Sequence, residues 1–137
     1  MNELEQMTQE RLKKNGFMQY NHIEMERVEP DCAVFRLEIR PESKNIYGKV
    51  HGGAIYTLAD NATGSAAHTD GRHYVTQNGS LHFLKNQGDG IIRAVARVRH
   101  RGRSTVLVDV EVLGTDDLLL AAGEFSFFCI DRDVKNP

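Results

Sequence analysis

The stretch NIYGKVHGGAIYTLADNATGSAA, residues 45–67, decides how the rest of the chain folds. It begins as a polar approach, passes a His-Gly-Gly hinge at 51–53, and continues over 54–67 as a segment of small and apolar residues. A helix that is apolar nearly all round is typically buried. One carboxylate, Asp60, lies in its middle. Because burying an unpaired carboxylate is very costly, we expect Asp60 to have a structural partner or to face a substrate, and we favour the substrate.

Alternating polar and apolar residues predict five strands around this helix, and a strand-like segment between turns at 74–85 makes a sixth. The segments are 22–29, 32–40, 74–85, 91–101, 104–114 and 118–130. We expect the first two to form a hairpin and the last four a meander, with a short amphipathic helix, ended around Asn15-Gly16, before them. An antiparallel sheet wrapped around the apolar helix would bury every apolar face in one core. The sequence therefore predicts a single α+β domain over residues 1–137.

Composition narrows the classes of function. The 137 residues are 40% hydrophobic and 26% charged, with a net charge of −2 and scattered basic residues, which does not fit a nucleic-acid surface. No apolar run approaches the ~20 residues of a membrane span, and the charged N-terminus does not read as a signal peptide. Cys32 and Cys129 match no metal-ligand spacing and are interpreted as buried, reduced thiols. We therefore expect a cytoplasmic protein that binds no metal, cofactor, nucleic acid or membrane.

The hinge itself predicts an oxyanion site. Gly52 and Gly53 open the helix, so their N–H groups lack intrahelical acceptors and lie at its positive end. Such donors stabilise a carbonyl oxygen that becomes negative during acyl transfer. Asp60 lies about 12 Å further along the helix, too far to share one carbonyl easily with its own Gly52. If both act on one substrate, they come from two chains related by a two-fold axis.

The spacing Asn45-x-x-Gly48-x-x-His51-Gly52-Gly53, followed by Leu58-Ala59-Asp60, resembles the signature of the hotdog-fold acyl-coenzyme A thioesterases. It is similar in particular to the PaaI-like group of phenylacetate degradation. The element order and the hairpin sequence HRGR at 100–103 extend the resemblance over roughly residues 15–130. The resemblance implies a hotdog fold, hydrolysis of an acyl-coenzyme A to free acid and coenzyme A (CoA), and a homodimer or homotetramer with active sites at the interface.

The resemblance also implies roles for individual residues. Asp60 would be general base or nucleophile, and the N–H of Gly52, aided by that of Gly53, would hold the thioester oxygen. Asn45 and His51 would orient the thioester. The remaining positions are Thr76, expected to place the attacking water; Arg101 and Arg103, expected to contact CoA phosphates; and Tyr56, Asn61 and Gly64, expected to line the acyl pocket. The polar sequence YVTQNGSLHF around Thr76 departs from the family pattern.

Two other functions remain open at this point. A non-catalytic acyl-CoA-binding sensor could use the same fold, but it needs no carboxylate facing the carbonyl. A hydratase or dehydratase on a related fold would place the acid–base work on His51. Neither the acyl group nor the choice between base and nucleophile at Asp60 follows from the sequence.

Overall fold

The computed structural model describes residues 1–131. Two short helices, α1 (Glu3–Leu12) and α2 (Gly16–Tyr20), come first, and the long helix α3 (Gly52–Ala67) lies between the second and third strands. The strands are β1 (Ile23–Glu29), β2 (Cys32–Glu38), β3 (Tyr74–Phe83), β4 (Ile91–Arg101), β5 (Thr105–Leu113) and β6 (Leu119–Cys129). Each predicted strand is present, with its ends within two residues of the predicted ones.

The strands form one antiparallel sheet in the order β1-β2-β4-β5-β6-β3. The β1–β2 hairpin is confirmed, whereas the predicted four-strand meander is wrong. Only β4, β5 and β6 follow one another, and β3 pairs with β6 from Tyr74 opposite Cys129 to Phe83 opposite Ala121. Because α3 carries the chain across the sheet between β2 and β3, β3 begins at the far edge. This position leaves β3 as an edge strand.

Helix α3 provides the centre of the core against the sheet. Its buried apolar side chains are mostly small, and they are Ala54, Ile55, Leu58, Ala59, Ala62, Ala66 and Ala67. Small side chains let the helix axis approach the strands closely and fill the space at the density of a close-packed interior. The hotdog arrangement, a six-stranded antiparallel sheet around one long helix, is confirmed. Asp60, Asn61 and Gly64 lie on the half-buried face of that helix.

The N-terminal segment differs from its prediction in one respect. Helix α1 ends at Leu12, and Gly16 is the first residue of α2 rather than a C-terminal cap. Asn15 explains the difference, because its side-chain oxygen accepts the N–H of Met18 at 3.1 Å and so caps a new helix. The two short helices cover β1 and reach the middle of α3.

Three further features concern the cysteines, the helices and the grouping of possible metal ligands. Cys32 in β2 and Cys129 in β6 are both buried and both unpaired. Among residues 1–131, no helix has the length and apolar character needed to cross a membrane. Nor do the residues in that range bring three or more His, Cys, Asp or Glu side chains together in a way that could hold a metal ion.

Candidate functional site

His51 caps the N-terminus of α3 and fixes which backbone donors are available there. Its extended backbone (φ −68°, ψ 137°) precedes the first helical residue, and its Nδ1 accepts the N–H of Gly53 at 2.7 Å. An accepting Nδ1 belongs to a neutral imidazole with its proton on Nε2. In the described part of the chain, the N–H of Gly52 has no acceptor. Gly52 therefore offers the free donor, while the N–H of Gly53 is occupied by His51.

The loop before the hinge is organised by Asn45. Its Oδ1 accepts the N–H groups of Tyr47 at 2.9 Å and Lys49 at 3.1 Å. Gly48 takes the left-handed conformation (φ 75°) that closes this turn. The N–H of His51 then donates to the carbonyl of Ser43 at 2.7 Å. Asn45 thus shapes the loop that delivers His51 and Gly52 to the surface.

Asp60 and Thr76 meet at the middle of α3. The hydroxyl of Thr76, at the start of β3, donates a hydrogen bond of 2.7 Å to Oδ1 of Asp60. Burial raises the pKa of Asp60 above its ordinary value, and the bond from Thr76 partly offsets that rise. Thr76 is exposed and Asp60 half-buried, so the carboxylate remains accessible from the edge of the sheet. A carboxylate with a raised pKa is suited to accept a proton from water.

A cavity of about 210 Å³ opens beside this pair. Asp60, Asn61 and Gly64 line it from α3, and Val75 and Phe127 line it from β3 and β6. A side chain at Gly64 would come within 3.4 Å of the Phe127 ring, so glycine keeps the cavity open there. The structure brings Asn61, Gly64 and Thr76 together with Asp60. Such a small, mixed polar and apolar cavity next to a carboxylate is the default position for a substrate group.

Tyr56, expected in the same pocket, does not line it. Its hydroxyl donates to the carbonyl of Gly79 at 3.3 Å, and its ring packs against Phe125 with centroids 5.0 Å apart. A side chain at Gly79 would collide with the Tyr56 hydroxyl and the Phe125 ring. Tyr56 therefore fixes the middle of β3 over α3, and its place in the acyl pocket stays a prediction.

Arg101 and Arg103 occupy different environments in the β4–β5 hairpin. The Arg101 guanidinium donates to Asp31 and Asp70, each at 2.8 Å, and to the carbonyl of Ala67 at 2.9 Å, which lies at the C-terminal end of α3. These partners give Arg101 a structural role that leaves few donors for a phosphate, contrary to the expectation for this residue. Arg103 is exposed, so its side chain remains a candidate contact for phosphate.

Two lining residues, Arg11 and His68, were not expected from the sequence. Arg11 comes from α1, and its Nη2 donates to Ser65 Oγ at 2.9 Å. The ring of His68 contacts the Gly64 carbonyl through Nδ1 at 2.6 Å, and its Nε2 accepts the N–H of Tyr74 at 3.3 Å. The packing of α1 on α3 brings Arg11 to the cavity, which no local pattern could have signalled. His68 directly follows α3, eight residues after Asp60, so the helical spacing of Asp60, Gly64 and His68 was a signal that could have found it.

Comparison with known proteins agrees with this fold and motif. The model of the thioesterase superfamily matches residues 47–121, more than half of the chain. The acyl-coenzyme A thioesterase PaaI of Escherichia coli is 29% identical over 90 residues, which cover 65% of this chain and 64% of the relative. The solved structure of E. coli PaaI superposes with a TM-score of 0.89 at 22% identity, covering 93% of this chain and 94% of the other.

A hypothetical thioesterase from Streptococcus pneumoniae, solved with coenzyme A, superposes with a TM-score of 0.79 at 25% identity. The superposition covers 86% of this chain and 95% of that one. The match of the family model spans the hinge, α3, the strands β3 to β5 and the start of β6, and so includes Gly52, Asp60 and Thr76. The chain belongs to the thioesterase superfamily and has the hotdog fold.

Proposed function

We propose that the protein hydrolyses the thioester bond of an acyl-coenzyme A to a free acid and CoA. The observation that carries this proposal is that one helix provides both a free N–H donor at its first residue, Gly52, and an accessible carboxylate of raised pKa, Asp60. In the proposed reaction the Gly52 N–H binds the thioester oxygen as it becomes negative. As general base, Asp60 takes a proton from water, the water oxygen bonds to the carbonyl carbon, the C–S bond breaks, and the proton passes to the CoA thiolate.

The position of these groups along β3 supports a site shared between two chains. A Cβ on Gly52 would lie 3.6 Å from the ring of Phe83, at the end of β3, whereas Asp60 contacts Thr76 near its start. Antiparallel pairing of β3 with the same strand of a second copy, about a two-fold axis near Gly79, would bring Thr76 of one chain to Phe83 of the other. Asp60 of one protomer would then face Gly52 of its partner.

The exposed edge of β3 supports this pairing. The strand is ten residues long, and Val75 and Phe83 on it are 48% and 53% exposed. Long edge strands with apolar side chains tend to pair with another chain. Ile46 and Tyr47, in the loop that precedes the hinge, are also largely exposed. We therefore propose a homodimer formed through β3. Two such dimers could associate to form a tetramer.

The activity is tested by thiol release from a panel of acyl-CoA thioesters with the wild type and two variants. Asp60→Asn removes the base, and Gly52→Pro removes the donor while leaving the helix intact, since proline is favoured at the first helical position and His51 already has the extended backbone that proline requires before it. We expect either change to lower kcat by about 10²–10³. Gly52→Ala is the matched control, because its Cβ makes ordinary contact with Phe83 and its N–H is kept.

Mixing the two inactive variants tests the shared site. A heterodimer of Asp60→Asn and Gly52→Pro chains has one site with both functional groups intact, so dissociation and reassociation of equal amounts should restore about a quarter of wild-type activity. Failure to restore activity in confirmed heterodimers would contradict sharing. Full hydrolysis by Asp60→Asn would contradict the mechanism, and binding of acyl-CoA without any thiol release would favour the sensor.

A separate experiment distinguishes a general base from a nucleophile at Asp60. Incorporation of oxygen from labelled water into Asp60 in a single turnover would identify it as a nucleophile.

A further inference from the structure

Arg11 places a permanent positive charge in the wall of the Asp60 cavity. It reaches the cavity from α1, and its Nη2 donates to the hydroxyl of Ser65, which is only 2% exposed. The Arg11 residue is itself half-buried. Of the several N–H donors on its guanidinium, this single bond uses one. The remaining donors are available to a group that enters the cavity.

No carboxylate of residues 1–131 lies within 4.0 Å of the Arg11 guanidinium, in contrast to Arg72, Arg99 and Arg101, each of which pairs with an aspartate. Burial lowers the pKa of Arg11, because the charged form loses part of its hydration. Because an arginine stays charged in proteins, this cost persists at every physiological pH. An anion that entered the cavity would relieve it.

The second nitrogen-rich side chain in the cavity does not compete for an anion. Burial, with a contribution from the Arg11 charge, lowers the pKa of His68 to about 4, so its ring is neutral near pH 7. Both ring nitrogens are already engaged, with the Gly64 carbonyl and the Tyr74 N–H. Arg11 is thus the one Lys or Arg side chain among the described residues that line the cavity.

The distance from Asp60 sets the length of the group that Arg11 can reach. Ser65, the partner of Arg11, lies five residues after Asp60 on α3, which corresponds to about 7.5 Å along the helix axis. An acyl chain whose carbonyl carbon lies at Asp60 spans that distance with about four to six carbon atoms, taking a bonded carbon step as comparable to the rise per helical residue. The cavity of about 210 Å³ admits a group of that size.

We propose that the cavity binds an acyl group with a terminal carboxylate, which the Arg11 guanidinium pairs, so that the substrates are CoA thioesters of short dicarboxylic acids. This inference rests on the proposed thioesterase activity and names its substrate class. The paired carboxylate would sit at the end of the cavity formed by Ser65 and His68, opposite the thioester at Asp60. A planar guanidinium offers two parallel donors to such a group.

The test compares thioesters that differ only at the far end of the acyl chain. Adipyl-CoA is paired with hexanoyl-CoA, and glutaryl-CoA with valeryl-CoA, for the wild type and for Arg11→Met. We expect the wild type to have a kcat/KM about 10-fold or more higher for the dicarboxylic member of each pair, and Arg11→Met to lose that preference through a fall in kcat/KM for the dicarboxylic member. Lys13→Met is the matched control, because it removes a positive charge two residues away that is exposed and paired with Glu10.

A second readout does not depend on turnover. Binding of free adipate and hexanoate is measured by calorimetry on the same three proteins, whose folding is checked by circular dichroism. Adipate should bind the wild type and Lys13→Met more tightly than hexanoate does, and Arg11→Met should show no difference. If Arg11→Met lowers kcat/KM equally for both members of each pair, Arg11 binds CoA rather than the acyl group, and the inference is overturned. It is also overturned if the wild type neither hydrolyses nor binds the dicarboxylic compound in preference to the neutral one. Adipate binding through Arg11 with no thioester hydrolysis would uphold the anion site and reject the proposed function instead.

Discussion

The hydroxyl of Thr76 donates a 2.7 Å hydrogen bond to Oδ1 of Asp60 and so ties the edge strand β3 to the middle of α3. Two opposing effects act on the pKa of that carboxyl, burial raising it and this bond lowering it. The bond therefore influences both the position of the carboxylate and the pH at which it ionises. Removing it while leaving the side-chain volume nearly unchanged separates these effects from packing.

Thr76→Val should raise the pKa of Asp60 further, because the hydrogen bond that stabilises the ionised form is lost. If the ionised carboxylate is the active form, the acid limb of the kcat/KM profile moves to higher pH, and kcat/KM below that limb falls about 10-fold. Steady-state hydrolysis across pH measures the change. Thr76→Ser keeps the hydroxyl and should restore the wild-type profile, so an equal shift in both variants would contradict the role of the bond.

Asp60→Asn should stabilise the fold near neutral pH while it abolishes activity. A carboxyl with a raised pKa binds its proton more tightly in the folded state, so its contribution to stability is present at low pH and is lost as pH rises through the raised value. Asparagine removes the ionised form and still accepts from Thr76. We expect a gain of about 0.5–2 kcal/mol near pH 7, measured by chemical denaturation. The gain should disappear in acid, where Asp60 is protonated.

His68 should make the fold sensitive to acid over a defined interval. Its pKa is lowered from 6.5 to about 4, because burial disfavours the charged ring. The unfolded chain therefore binds the proton first, and the stability from neutral His68 is complete above pH 6.5 and is lost as pH falls toward 4. We expect a loss of up to about 3 kcal/mol over that interval.

The His68 contribution can be separated from that of the carboxylates by substitution. His68→Asn keeps an amide donor for the Gly64 carbonyl but does not titrate. The difference in unfolding free energy between wild type and variant should change across this interval and stay constant outside it. A difference that is constant at all pH values would show that the ring does not titrate with folding.

Substitutions of Arg101 and Arg103 should have different effects, because we expect the first to act in the fold and the second in ligand binding. Arg101→Met removes the bonds to Asp31, Asp70 and the end of α3, so unfolding free energy should fall by about 2–3 kcal/mol. Arg103→Met should change stability by no more than about 0.5 kcal/mol. If Arg103 contacts CoA phosphates, its variant raises KM several-fold for an acyl-CoA but not for the matching acyl-pantetheine, which lacks the nucleotide. An increase in KM for Arg101→Met at unchanged stability would reverse the assignment.

The fold was largely predictable because its main signals are local. Period-two alternation located the strands other than β3, the turn residues on either side bounded β3, and the apolar run with one carboxylate identified α3. The position of β3 was not predictable in that way, because pairing with β6 rather than β4 depends on the path of the chain across the sheet. The role of Gly16 was predicted wrongly for a related reason. The side chain of Asn15 caps a new helix that begins at Gly16, whereas the prediction made Gly16 the end of the first helix.

The candidate site divides along the same line. Gly52 and Asp60 followed from helix geometry, since both lie on one element whose rise per residue is fixed. The engagement of Arg101 and the position of Arg11 beside Ser65 are tertiary contacts, and the occupation of the Gly53 N–H depends on the side-chain rotamer of the cap residue His51. Sequence spacing carries no information about them, because each partner comes from a rotamer choice or a distant segment.

Helix α3 holds Gly52 at its first position and Asp60 eight residues later without a break. The helix therefore fixes both the distance and the angle between the N–H donor and the carboxylate. Each residue added or removed between them would turn the carboxylate by about 100° around the helix and move it by about 1.5 Å, away from Thr76. Length changes in the turn at 115–118 carry no such penalty. Insertion scanning should therefore find residues 53–59 intolerant of any change in number, even where single substitutions are accepted.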